Sequence, residues 1–484
     1  MLRSIQRLLL TLAVAGCASS AWAFSLLGPL DATFETTALA YGLAGDIGGP
    51  MNLGEGYRWN YRPITYALDP SFLHYFGPKG SNAVVQAMAV FNNLPPFSKM
   101  SANLSEFPLN TTKQNYEATA LGVMDIKSIV LSLMLEEVGL TSPERYVWCL
   151  RGKTGIPAPT FAYAVIQRNF DPTTYTPSVF VNGVLYTYAI VDPIPLTGGG
   201  TAADAIEVPL DPDANAFTAV VSAADLIEGD DSGLELDVFN VGEFFTGLTR
   251  DDVGGLRYLY SGAKNNAYVE TLPTGATAVA SGGSPWSPVP GSSTNTTTGG
   301  GTGGGSNTVT GVNSALRPGV DKLQFVQVFF DSTYGAYTTV TNTYIDVYET
   351  NGVIAKQSFQ RTVTAPDILF TAADLGLNGG GVPVLAVRSS AAAPTFVNNS
   401  AINSGIGGNV IPTAGPGQIE PTVTITLSKI GPYIVNENPN FLDQANVEST
   451  GITWGSFDAT TNPPVLYPQG LTISDLQELI FFGP

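Results

Sequence analysis

A segment rich in glycine, serine and threonine constrains the fold of this chain more than any other feature. Residues 299–305 are all glycine apart from Thr302. Such a composition cannot bury a hydrophobic core, so it predicts a flexible linker over residues 276–311. The linker divides the chain into residues 24–275 and 312–484, and each part is long enough to form a core of its own.

The N-terminus has the charge and hydrophobic pattern of a secretory signal peptide over residues 1–23. Arg3 and Arg7 precede a short apolar stretch, and an A-x-A signal peptidase site ends at Ala23. The alternative is a bacterial lipoprotein signal, in which Cys17 carries the lipid anchor. Both interpretations predict a bacterial exported protein, extracellular or at the cell surface, or in the periplasm or on the outer membrane. No later apolar run is long enough to predict a membrane span.

The charge balance and the scarcity of histidine exclude two large classes of protein. The chain has 40 acidic and 21 basic residues and a formal net charge of -19. Nucleic-acid binding needs clustered Lys and Arg, so we expect no nucleic-acid partner. The chain contains one histidine, His74, and two cysteines, whereas zinc sites use three or four ligands that are mostly His and Cys. We therefore expect no zinc.

Hydrophobic periodicity predicts a mixture of helices and strands before the linker. Residues 125–138 carry apolar side chains at helical spacing, with Asp125 as a cap at the start and Gly139 at the end. Further helices are predicted over residues 81–94 and 250–260. Elements mixed in this order indicate an α/β or an α+β domain.

Alternation of apolar and polar residues predicts strands after the linker. Residues 344–348 and 422–427 alternate strictly, and Asn351 with the following glycine marks a turn. The default architecture for such a segment is an all-β, sandwich-like domain. A short final helix is predicted over residues 475–482, with Ser474 as its cap.

Three segments resemble the matrixin branch of the metzincin zinc metalloproteases. Residues 125–142 read DIKSIVLSLMLEEVGLTS and align with the family's zinc helix, D-L-x-x-V-A-x-H-E-x-G-H-x-x-G-L-x-H. Residues 248–260 read LTRDDVGGLRYLY and align with its terminal helix, L-[ST]-x-D-D-x-x-G-[IL]-x-x-L-Y. Residues 64–91 resemble its opening strand and first helix. The resemblance implies a metzincin-like α+β fold for the first domain.

The positions that carry the family's chemistry hold other residues in this chain. Ser132, Glu136 and Ser142 stand where the family has its zinc-binding histidines, and Leu133 stands where it has the general-base glutamate. Zinc needs two imidazoles at i and i+4 on one helix face, and the glutamate must take a proton from zinc-bound water. We therefore predict a pseudoprotease, an exported protein that binds a partner or has a structural role without catalysis.

The sequence leaves several interpretations of this helix open. Ser132 and Glu136 either form a solvent-facing polar stripe or, with Ser142, line a former active-site cleft that binds a peptide, a glycan or a surface partner. An alternative function is an atypical secreted hydrolase or protease that uses carboxylates, with Glu136 and Glu137 as candidates. A third is an architectural surface protein that associates through strand edges.

Two acidic clusters are candidate calcium sites, and calcium is the one cofactor that the sequence suggests. Calcium needs six to eight oxygen ligands, and neither cluster completes an EF-hand loop. Solvated turns are therefore the alternative. The candidate ligands are Asp211, Asp213, Asn215, Glu228, Asp230 and Asp231.

Three further features of the sequence involve aromatic or reactive side chains. Tyr57, Trp59 and Tyr61 alternate, so they are predicted to share one strand face, either buried or exposed for stacking on sugars. Cys149 is predicted to be a buried, unreactive thiol. His74 stands between aromatic residues and is predicted to be partly buried.

Overall fold

The computed structural model describes most of the chain in separate stretches. They are residues 22–27, 51–54, 56–144, 146–154, 162–195, 201–210, 241–262, 267–278, 311–337, 339–376, 385–390, 395–396, 417–430, 435–436, 447–448 and 452–482. Cys17, most of the predicted linker and all the candidate calcium ligands lie outside these stretches. Strands outnumber helices in the described residues, so the fold is a mixed, strand-rich one that is compatible with α+β.

Five α-helices lie in the described residues, with a 3₁₀ turn at Phe97–Lys99. The helices are α1 (Pro70–Asn92), α2 (Tyr116–Ala120), α3 (Ile126–Glu137), α4 (Arg250–Tyr260) and α5 (Ile473–Phe482). Within the described residues, no helix is long and apolar enough to cross a membrane.

The strands fall on both sides of the predicted linker. Before it lie β1 (Phe24–Leu26), β2 (Tyr57–Arg58), β3 (Ile64–Leu68), β4 (Thr112–Gln114), β5 (Val123–Asp125), β6 (Leu140–Thr141), β7 (Cys149–Thr154), β8 (Ala162–Ile166), β9 (Asn169–Phe170), β10 (Phe180–Val181), β11 (Val184–Pro195), β12 (Thr201–Pro209), β13 (Glu243–Phe245) and β14 (Tyr268–Glu270). β15 (Ala276–Ala278) occupies the first three residues of the predicted linker, so the linker prediction is wrong for those residues. After it lie β16 (Ala315–Arg317), β17 (Phe325–Gln327), β18 (Phe330–Asp331), β19 (Ala336–Tyr337), β20 (Val340–Thr350), β21 (Val353–Val363), β22 (Ile368–Ala373), β23 (Ala386–Ser390), β24 (Thr395–Phe396), β25 (Gly417–Gln418), β26 (Val423–Ser428), β27 (Val435–Asn436), β28 (Val447–Glu448), β29 (Thr453–Ser456) and β30 (Val465–Leu466).

The predicted helices form, and their caps explain their bounds. Asp125 caps α3 by accepting hydrogen bonds from the Ser128 amide and hydroxyl at 2.9 and 2.6 Å. Gly139 follows α3 with a φ of +99°, where a Cβ atom would collide with the Tyr57 carbonyl. α4 has the predicted bounds, because Thr249 and Asp252 form a capping box at its start.

Two helix predictions need correction. α1 begins at Pro70 rather than near residue 81, because Asp69 caps it and the helical segments on either side of Gly77 are joined across a kink. α5 is capped by Thr472 rather than Ser474, since the Thr472 amide and hydroxyl donate to the Asp475 carboxylate at 3.0 and 2.6 Å.

One five-stranded sheet mixes strands from both sides of the linker. Its order is β17-β3-β22-β26-β23, and the first four strands are parallel. β3 comes from before the linker, whereas both of its neighbours come from after it. A second, antiparallel sheet has the order β14-β16-β20-β21-β15, so it too combines the two segments.

This pairing corrects the predicted domain organisation. One hydrophobic cluster joins Trp59 and Ile64 from before the linker to Phe370, Ile425 and Trp454 from after it. The described strands therefore do not form two modules with separate cores, nor a separate β-sandwich after the linker. Alternation within a strand shows which face is buried, but it does not show which strand lies beside it.

Candidate functional site

The residues at the former zinc positions lie in the protein interior. Ser132 and Glu136 have no exposed surface, and Ser142 is 6% exposed. Every residue of α3 except Lys127 is buried. The packing of α1 against α3 contributes to this burial. These side chains therefore face neither solvent nor an open cleft, and both of those interpretations are wrong for the residues concerned.

Aromatic residues cover the end of α3. The Trp59 indole N–H donates to the Glu137 carbonyl at 2.7 Å, and the Tyr260 hydroxyl donates to the Val138 carbonyl at 2.9 Å. These bonds satisfy carbonyls that a helix end leaves without an internal partner. Tyr57, Trp59 and Tyr61 are all buried, so the prediction that they are buried is confirmed. The prediction of a shared strand face is wrong, because β2 ends at Arg58 and Arg58 is buried as well.

The structure also tests the sequence predictions for the cysteine, the histidine and metal binding. Cys149 is buried, as predicted. His74 is exposed on α1, so the prediction of a partly buried histidine is wrong. No group of three or more His, Cys, Asp or Glu side chains in the described residues could hold a metal ion.

Asp125, the cap of α3, is expected to make stability depend on pH. Burial raises the pKa of its carboxyl from 3.8 to about 6. A pKa that is raised in the folded state stabilises the fold below the unfolded pKa, and that contribution is lost as pH rises through about 6. An Asp125→Asn variant keeps a hydrogen-bond acceptor without the charge. The free energy of unfolding of the variant minus that of wild type should therefore increase by about 2–3 kcal/mol between pH 4 and pH 7. Urea titrations at the two pH values would measure this difference.

Asp475 provides the matched control for that experiment. It lies in the first turn of α5 at an exposed position, and hydrogen bonds from Thr472 lower the pKa of its carboxyl. Its contribution is present above the unfolded pKa and is lost as pH falls, so Asp475→Asn should shift the profile in the opposite direction. Identical pH profiles for wild type and Asp125→Asn would show that the cap does not titrate in this range.

A cavity of about 700 Å³ opens where the two segments of the chain meet, and we name it the junction cavity. It lies between the loop after β2, the residues after α4, the turn after β16, and strand β20. Arg62 and Gln324 are exposed, which places its mouth at the protein surface. The cavity is lined by residues 60–63, 261–262, 317–321 and 343–347, with Ser98 and Gln324.

Buried ion pairs hold the inner wall of the junction cavity. Arg317 binds Asp346 at 2.8 Å, and Gln357 donates to the same carboxylate at 2.7 Å. Behind the wall, Arg361 binds Asp367 at 2.6 Å. Because these charges are already compensated, they fix the shape of the cavity and leave little charge for a ligand to neutralise.

The cavity also presents polar groups that no described residue uses. Among the described residues, the side chains of Arg62, Ser261, Gln324 and Thr343 make no hydrogen bond. The Tyr344 hydroxyl is buried and likewise has no partner in this part of the chain. Burial, and then the nearby Asp346 carboxylate, raise the pKa of Tyr344, so its phenol stays a neutral donor.

Sequence reasoning missed this site almost entirely. Of the lining residues it singled out Tyr61 and residues 344–347, in both cases as parts of predicted strands rather than of a site. The cavity is assembled from five separate stretches of chain, and no local spacing connects them. Comparison of the chain with family models, with curated proteins and with solved structures gives no match in any of the three.

Proposed function

We propose that this chain is an exported binding protein without catalysis, and that the junction cavity binds a neutral, polyhydroxylated ligand of the oligosaccharide class. The observation that carries the proposal is the set of unused polar side chains around the cavity, above all the buried Tyr344 hydroxyl. Buried polar groups are normally hydrogen-bonded, so this donor in the cavity wall, which has no partner among the described residues, would gain one if a small movement of the wall opened it to a ligand.

The charge of the lining favours a neutral ligand. Its ionisable side chains other than tyrosine are Arg62, Arg317, Asp321 and Asp346, so two positive charges balance two negative ones. The hydroxyl, amide and guanidinium groups can donate to and accept from sugar hydroxyls. The Tyr344 ring adds an aromatic surface of the kind that sugar-binding sites combine with polar groups.

The resemblance to matrixins supports an inherited scaffold rather than an inherited activity. Glu136 and Glu137 are 0% and 2% exposed, so they cannot reach a substrate in this conformation. At the cavity, Asp321 accepts hydrogen bonds from Ser98, and Asp346 accepts from Arg317. These carboxylates serve as structural acceptors, which makes the carboxylate hydrolase the weaker candidate.

Calorimetric titration with a panel of neutral and acidic oligosaccharides is expected to find a neutral ligand. The Tyr344→Phe variant should bind it about three- to tenfold more weakly, since one hydrogen bond contributes about 0.5–1.5 kcal/mol. Tyr334→Phe is the matched control, because that side chain is 84% exposed and lies outside the cavity lining. Mass spectrometry of the ligand after incubation should show no turnover.

Three results would count against the proposal. If Tyr344→Phe binds as tightly as wild type, the ligand does not use the cavity. If only short peptides bind, the site belongs to a peptide-binding protein instead. Release of shorter saccharides would favour the hydrolase.

A further inference from the structure

The strand that forms one wall of the junction cavity has no neighbour along most of one side. β20 is paired with β21 without interruption from Val340 to Thr350. On its other side, β16 pairs with it at a single position, Leu316 with Glu349. No other strand in the described residues lies on that side. Residues 343–347 of β20 line the cavity and form an open strand edge, which we name the β20 edge.

The chain after β16 is held away from β20 by contacts elsewhere. Pro318 follows β16 directly and has no N–H to donate to a neighbouring strand. Gly319 lies so close to the Tyr260 carbonyl that a Cβ atom would collide with it. The Asp321 amide donates to the same carbonyl at 2.7 Å, and the Asp321 carboxylate accepts from Ser98. These contacts fix the chain at the end of α4, and the gap that they leave beside β20 is part of the junction cavity.

The β20 edge presents a row of backbone donors and acceptors to the cavity. In an antiparallel pair, every second residue turns its N–H and C=O groups away from the partner strand. Within the described part of the chain, no backbone group on this side of residues 343–347 has a hydrogen-bond partner. At about 3.3 Å per residue the row is roughly 13 Å long. A ligand that enters the gap must replace the hydrogen bonds that these groups make to water.

The other walls of the gap favour a saccharide over a peptide strand. A peptide that extends a sheet pairs with one strand edge and leaves its own outer row of backbone groups to be satisfied. Pro318 cannot continue the ladder on the far side of the gap. The Ser261 hydroxyl and the Gln324 amide line the same cavity instead. Sugar rings carry hydroxyl groups on all sides, and each hydroxyl both donates and accepts, so a saccharide can bond to the backbone row and to these side chains together.

We propose that the ligand is a linear oligosaccharide whose chain lies along the β20 edge, with its hydroxyl groups bonded to the backbone of residues 343–347. This inference rests on the proposed function and narrows the ligand class to extended chains, in which a β-1,4 linkage keeps successive rings in line. A row of roughly 13 Å matches about three rings. Recognition by a backbone row makes binding depend on the length and straightness of the chain rather than on one terminal sugar.

Calorimetric titration with glucose and with β-1,4-linked cello-oligosaccharides of two to six units tests the length dependence. The association constant should rise about three- to tenfold with each ring up to about three rings, because each ring adds about one net hydrogen bond. Further rings should leave it unchanged. Maltohexaose is the control for straightness, since its α-1,4 linkage coils the chain. It should bind at least about threefold more weakly than cellohexaose.

Amide hydrogen exchange provides a second readout at the β20 edge itself. Saturation with cellohexaose should slow the exchange of about two to three amides in residues 343–347, because a hydrogen-bonded amide exchanges more slowly. β8 is the control, since in the described residues it pairs with β7 alone and it lies outside the cavity lining. The amides of β8 should exchange at the same rate with and without the sugar.

Different outcomes would overturn this inference alone or together with the proposed function. It fails alone if glucose or maltohexaose binds as tightly as cellohexaose, or if cellohexaose binds without slowing exchange at the β20 edge. It also fails alone if another neutral saccharide binds and no cello-oligosaccharide does. Both fail if a capped hexapeptide of alternating threonine and valine protects the β20 edge and no saccharide binds, because the edge then pairs with a peptide strand.

Discussion

Replacing Asp367 by asparagine is expected to destabilise the fold by about 3–5 kcal/mol. Asp367 is fully buried and accepts hydrogen bonds from Arg361 at 2.6 Å, from the Tyr61 hydroxyl at 2.9 Å and from the Thr65 amide at 2.7 Å. The variant would leave the buried Arg361 guanidinium, which lies 4.3 Å from the centre of the Tyr61 ring, without a counter-charge. Guanidinium chloride unfolding would measure the loss.

Asp374→Asn is the matched control for this prediction. Asp374 is exposed and follows the last residue of β22, the strand that Asp367 precedes. The same chemical change at this position should alter the free energy of unfolding by no more than about 0.5 kcal/mol. If Asp367→Asn lowers the free energy of unfolding by less than about 1 kcal/mol, the buried ion pair between Arg361 and Asp367 does not stabilise the fold as predicted.

Asp367 also tests whether the two segments of the chain unfold together. Its partners Tyr61 and Thr65 come from before the linker, whereas Arg361 comes from after it. In addition, β3 lies between two strands of the later segment. Wild type should therefore unfold in one transition across the described core, and two separate transitions would restore the two-module interpretation.

The sequence predicted those elements whose signals are local. α4 begins and ends at the predicted residues because Thr249, Asp252 and the hydrophobic spacing lie within one short segment. The hairpin of β20 and β21 turns at Asn351 and Gly352, both with positive φ, as the Asn-Gly pair indicates. In each case the residues that determine the structure are neighbours in the chain.

The same reasoning failed where burial depends on a distant partner. Arg58 and Arg317 are charged, so hydropathy places them at the surface, yet both are buried. Arg58 binds Glu270 at 2.8 Å, and the two residues are far apart in the sequence. A charge is tolerated in the interior only when its partner is placed there too, and sequence spacing does not reveal that partner. The junction cavity was missed for the same reason.

Restoring the family's histidine at position 132 is expected to damage the fold rather than to create a zinc site. Ser132 has no exposed surface and is packed among core side chains of α3 and its neighbours. An imidazole is much larger than a hydroxymethyl group, and overpacking of a core typically costs about 1–3 kcal/mol. The change also removes the interaction that the Ser132 side chain makes, which adds to this cost. Ser132→His should therefore lower the free energy of unfolding by about 3 kcal/mol or more, as measured by urea titration.

The control is Ser105→His, because Ser105 is exposed and the same change there should be nearly neutral. A chain that combines Ser132→His, Leu133→Glu, Glu136→His and Ser142→His extends the test to zinc itself. We expect this chain to misfold, because three of the four side chains have no exposed surface and the fourth is 6% exposed. A folded variant that binds one zinc ion per chain and cleaves peptides would show that the cleft still exists. The proposed binding function without catalysis would then no longer be supported by the loss of this cleft.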